Sequence, residues 1–109
     1  MATTYKVLAQ SAPSATTDTD IYTVPAATMA VLSTVVVANR AAADATYRIA
    51  VRPDGATLAN QHYVAYDVTV GASDSTTITL GITMDAADVL TVYASSADLS
   101  FNVFGSEIA

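Results

Sequence analysis

Apolar and polar side chains alternate with a period of two in segment after segment of this chain, and β-branched Val, Thr and Ile supply most of the pattern. That period belongs to a strand with one face on a core, whereas a core-facing helix needs apolar residues every three to four positions. No segment carries a helical stripe of useful length, and the Ala-rich patches 26–30 and 41–45 have room for a helical turn only. Tyr47, Ile49 and Val51 alternate with Arg48, Ala50 and Arg52; Ile78, Leu80 and Ile82 with Thr77, Thr79 and Thr83; Leu99, Phe101 and Val103 with Ser100, Asn102 and Phe104. By the same parity His62, Val64, Tyr66, Val68 and Val70 read as a core face, with Tyr63, Ala65, Asp67 and Thr69 opposite. Val35-Val36-Val37 breaks the alternation, as a strand does when it is central in its layer or covered by a neighbouring chain.

Turn signals punctuate these segments: Ser11 to Thr17, Val24-Pro25-Ala26, Ala41 to Asp44, Pro53-Asp54-Gly55, Gly71 to Ser75, Asp85 to Asp88 and Ser95 to Asp98. Eight strands result, at 4–10, 19–25, 29–40, 45–52, 61–70, 75–82, 88–95 and 98–104. Eight short strands separated by polar turns predict an all-β fold, a single antiparallel β-sandwich over residues 1–109. Both a jelly roll and an immunoglobulin-like order satisfy the pattern. At 109 residues there is room for one core and no second domain.

Charge narrows the function. Only 13% of residues are charged against 52% hydrophobic, where soluble domains average about a quarter charged. Thr, Ser and Ala separate the apolar positions, so another protein could cover this surface while stripping water from few ions. A net charge of -6 argues against nucleic acid as a direct partner. With no cysteine there are no disulfides, thiolate metal sites or thiol nucleophiles. Met1 to Ala15 lacks the apolar run of a secretory signal, and no stretch is long enough to span a membrane as a helix.

No constellation of catalytic residues can be assembled. His62, the sole histidine, has neither a nucleophile motif nor a carboxylate orienter beside it, and it reads as a strand-end residue. Asp18 with Asp20, and Asp85 with Asp88, fall short of the six to eight oxygens of a calcium loop and read as turn formers. The expectation is therefore a non-enzymatic protein with no catalytic residue, cofactor or metal. Its candidate contact residues are Arg40, Arg48 and Arg52, three of only four basic residues, with the outward Tyr63 and Tyr93. Pairing 29–40 with 45–52 as a hairpin would bring Arg40 and Arg48 to its turn end. The arginines then either pair with Asp44, Asp54 and Asp67 or reach an acidic partner. Tyr47 and Tyr66 have core parity.

The succession Ile21-Tyr22-Thr23-Val24-Pro25-Ala26, Val35 to Arg40, Tyr47 to Arg52, His62 to Asp67, Leu80-Gly81-Ile82, Asp88 to Ser95 and Phe101 to Glu107 resembles small virion proteins of tailed bacteriophages. These include capsid decoration (cement) proteins and tail-associated components. The resemblance implies a β-sandwich made in the host cytoplasm and docked in many copies on the outer capsid surface. Its partners would be the major capsid protein or other virion proteins, with self-association, and its role would be stabilisation across subunit seams. A tail, collar or baseplate component and a host-surface carbohydrate-binding adhesin are the alternatives. Segments 1–10 and 105–109 are expected to flank the sandwich and assist docking.

Overall fold

A computed structural model describes residues 2–109. Eight strands form: β1 (Thr3–Ser11), β2 (Thr19–Thr23), β3 (Met29–Asn39), β4 (Ala45–Arg52), β5 (Tyr63–Val70), β6 (Ser75–Met84), β7 (Val89–Ala94) and β8 (Leu99–Ile108). They make two four-stranded sheets, sheet I in the order β1-β8-β3-β6 and sheet II in the order β2-β7-β4-β5. The pairs β1–β8, β2–β7, β3–β6 and β4–β5 are all antiparallel. They constitute a long ribbon that wraps on itself, and the contacts β3–β8 and β4–β7 close the wrap. This is the double Greek key of a jelly roll, which decides between the two orders the sequence left open.

The core lies between the sheets. Leu32, Val35, Val37, Leu99, Phe101 and Val103 of sheet I meet Tyr47, Ile49, Leu90, Val92 and Ala94 of sheet II. The valine run is explained by position: β3 has a neighbour on each side, Val35 and Val37 are fully buried, and Val36 points out.

Two expectations need correction. First, β3 and β4 do not pair as a hairpin. They belong to opposite sheets, because Val35 and Val37 must face Tyr47 and Ile49 across the core rather than lie beside them. Asn39 holds the crossing: its buried amide donates to the carbonyls of Ala43 at 2.8 Å and Val70 at 3.2 Å, and its oxygen accepts from the Ala41 N–H at 3.0 Å. Second, Val64 and Tyr66 are not core residues; they are 46% and 52% exposed, and Ala65 packs on the core instead. Asp67 adopts a left-handed backbone with φ 51°, and the β4–β5 register slips on either side of Ile49. Each slip moves the following side chains to the other face. The terminal segments are built into sheet I, the first as the strand the alternation predicts. β8 runs on to Ile108, and Ala2 and Ala109 exchange backbone hydrogen bonds of 2.7 and 2.9 Å.

Sheet I is also irregular along one line. The β1–β8 register shifts at Val7/Ala9, and both pairings of β3 shift at Leu32/Thr34. Aligned bulges bend a sheet and raise its twist, and they bring Val31 against Gly105.

Candidate functional site

Because Tyr47, Ile49 and Val51 face the core, Arg48, Ala50 and Arg52 necessarily point outward from sheet II. β4 lies between β7 and β5, so their outward residues become its neighbours: Tyr93 is opposite Arg48, Thr91 opposite Ala50 and Tyr63 also opposite Ala50. Four of the five contact residues expected from the sequence (Arg48, Arg52, Tyr63 and Tyr93) thus gather on one face. Arg40 does not join them. It follows β3 at the rim of sheet I, where Nε donates to Ser100 Oγ and Nη2 to the Ala97 carbonyl, both at 2.9 Å.

At the centre of this face the Arg48 guanidinium lies between two aromatic rings, 4.2 Å from the Tyr66 centroid and 4.3 Å from that of Tyr93. Its Nε donates to Asp67 Oδ1 at 2.6 Å. The hydrogen bond to Asp67 raises the Arg48 pKa further above its already high ordinary value, so this cation is permanent. Tyr63 closes the cluster edge-on against Tyr66, with centroids 4.8 Å apart. Parity assigned Tyr66 to the core, and the slip beside Asp67 delivers it here instead. The sequence signal that could have revealed it is the aspartate itself, since Asp is enriched in left-handed backbone.

Arg52 forms a second cluster. Nη2 pairs with Asp20 Oδ1 at 2.8 Å, Nε donates to Thr91 Oγ1 at 3.0 Å, and Thr91 in turn donates to Asp20 at 2.8 Å. Nη1 holds the Ala56 carbonyl at 2.9 Å and so pins the turn Pro53–Gly55. Of Asp44, Asp54 and Asp67, offered by the sequence as arginine partners, only Asp67 pairs with one; Asp20, read there as a turn former and brought in by β2, supplies the other partner. Both pairs are local, so the face is close to neutral in spite of its two arginines.

Other singled-out residues serve the fold. His62 is buried, and its Nδ1 accepts the Ala59 N–H at 3.0 Å. Asp88 accepts from the N–H groups of Asp54 and Asp85, each at 2.8 Å, and caps two turns.

One polar cluster had no precursor in the sequence reading. Tyr22 of sheet II donates to Glu107 of sheet I at 2.5 Å, and Lys6 pairs with the same carboxylate at 2.7 Å. Lys6, and then Tyr22, hold Glu107 below the usual carboxylate range. Burial, then the Glu107 contact, push the Tyr22 phenol well above its ordinary 10.0. The unfolded chain therefore gives up the tyrosine proton first, and folded stability falls as pH rises past about 10. Burial raises Tyr47 in the same sense. Thermal melts above pH 10 should show that loss, and Tyr22→Phe should shallow it while leaving the Tyr47 share. An unchanged slope in the variant would exclude Tyr22 as a source.

The chain matches no family model, no curated protein and no solved structure.

Proposed function

We propose that this chain is a non-enzymatic structural protein of a tailed-bacteriophage virion, a decoration protein that docks on the outer capsid through the exposed face of sheet II. The observation that carries the reading is the assembly of Arg48, Tyr63, Tyr66 and Tyr93 into one aromatic cluster. Beside it, the edge strand β5 exposes Val64 and Val68. Tyr and Arg are the residues that most often dominate protein interfaces. Here Asp67 and Asp20 already neutralise the arginines, so docking would not strand a charge without a partner. Many copies on a lattice turn modest single contacts into firm binding wherever one copy bridges two subunits.

The jelly roll is shared by viral shell and lectin domains, so the fold alone does not choose between capsid and glycan. The cluster favours protein. Arg48 covers one face of both Tyr66 and Tyr93, and a sugar ring stacks on just such a face.

The test is co-sedimentation with undecorated capsids, together with the position and copy number of the chain in the intact particle by cryo-electron microscopy. Wild type should bind in hundreds of copies on the shell. Tyr66→Ala with Tyr63→Ala should weaken binding by about ten-fold or more, since interface aromatics commonly contribute about 2 kcal/mol each. A dozen copies at the tail would move the chain to a tail role, and a glycan-array signal abolished by Tyr63→Ala would make it an adhesin.

A further inference from the structure

The outer face of sheet I is poor in charge. The four strands of sheet I contain just two charged residues, Lys6 and Glu107. Those two pair with each other, and Glu107 lies opposite the fully buried Ala30, on the inward side. The outward residues are all uncharged. Thr34, Val36 and Phe104 occupy the centre, where register places Thr34 beside both Phe104 and Thr79. Val7, opposite Phe104, is 47% exposed, and Tyr5 and Met29 stand toward one end, exposed by 83% and 42%. Threonines 77, 79 and 83 of β6 complete the face.

We infer that this face stacks on the same face of a second copy, forming a two-fold dimer of sandwiches. Charge identifies the occupant. Each copy carries a net charge of -6, so two copies repel wherever charged surfaces meet; the strands of sheet I turn no charged residue outward, whereas sheet II would close over Arg48, Arg52 and their aspartates. Area is consistent with this. Four strands about 4.8 Å apart and about 33 Å long present about 600 Å², or about 1,200 Å² for the pair. That reaches the lower bound of specific interfaces before side-chain relief adds to it. Subunit interfaces between identical chains are also the apolar, charge-poor kind, and twisted sheets stack face to face at about 30° in any sandwich. The dimer uses the face opposite the proposed capsid contact and does not depend on that contact.

Sedimentation velocity of the isolated protein across a concentration series tests the inference. Wild type should shift from monomer to dimer. Thr34→Lys at the centre of the face, and separately Thr79→Lys at the exposed position beside it, should each weaken dimerisation by at least ten-fold. Tyr66→Ala on sheet II should leave it unchanged, with melting curves verifying that all variants fold. Raising salt from about 50 mM to about 500 mM should leave the dimer intact or tighten it, because screening removes repulsion and no interfacial ion pair is lost. A wild type that stays monomeric at all concentrations overturns the inference. So does a dimer that survives both lysine variants, which would put the contact on the β6 edge, and so does a dimer that weakens with salt.

Discussion

Gly105→Ala should cost more stability than any other glycine substitution in the chain, about 3 kcal/mol or more. Gly105 lies in β8, hydrogen-bonded between β1 and β3. A Cβ there would sit 2.0 Å from the Val31 carbonyl oxygen and 3.0 Å from Leu8 Cδ1. A flexible side chain could step aside, but a ladder carbonyl cannot move without disturbing the pairing of two central strands. The other glycines give an internal scale. Gly81 has φ +61° with open space around its Cβ position, so alanine there meets only left-handed strain of about 1 kcal/mol. Gly71 has ordinary contacts at 3.8 Å and should be close to neutral. Denaturant unfolding should rank the three losses as Gly105, then Gly81, then Gly71. A Gly105→Ala protein as stable as wild type would mean that β3 does not approach β8 as described.

Alternation, together with turns that carry Pro, Gly, Asp or Ser, was enough to locate all eight strands, although β7 buries Val89 to Val92 in succession and β1 has no fully buried residue. Ends were less legible. Past Phe104 the run Gly105-Ser106-Glu107 has no apolar alternation, yet β8 continues there because β1 and β3 both pair with it. Parity failed where the backbone slips: Asp67, a residue type enriched in left-handed backbone, is the one local hint in Tyr66-Asp67-Val68 that the alternation breaks and exposes Tyr66. The outward placement of Arg48 and Arg52 follows from Tyr47, Ile49 and Val51 alone, but their partners do not. Asp20 reaches Arg52 only through β2 and β7, a long-range arrangement no local pattern encodes. The uncharged face shows the same limit. That 29–39 and 75–84 lack charge is visible in the sequence; that they lie side by side with β8 and β1 requires the strand order.

Phe101→Ala should lower stability by about 3–5 kcal/mol, a large part of the roughly 5–15 kcal/mol that holds a domain of this size together. Phe101 is fully buried on β8 of sheet I, and its ring meets Tyr47 of sheet II edge-on at 6.2 Å and 77°. The loss combines the transfer of a buried ring, the cavity it leaves and an aromatic pair contributing about 0.5–1.5 kcal/mol. At about 4–8 °C per kcal/mol the melting midpoint should fall by about 12–40 °C. Phe101→Leu keeps most of the volume and should lose less than half as much. The expected result also bears on assembly. If, as proposed, the capsid lies against sheet II and a second copy against sheet I, any load between the two contacts crosses the core where Phe101 meets Tyr47. Phe101→Ala touches neither outer face, so at low temperature it should bind capsids and dimerise like wild type. On heating, decorated particles carrying it should lose their added resistance at the variant's own lowered midpoint. Particles that kept wild-type resistance above that temperature would show that the folded sandwich carries no load.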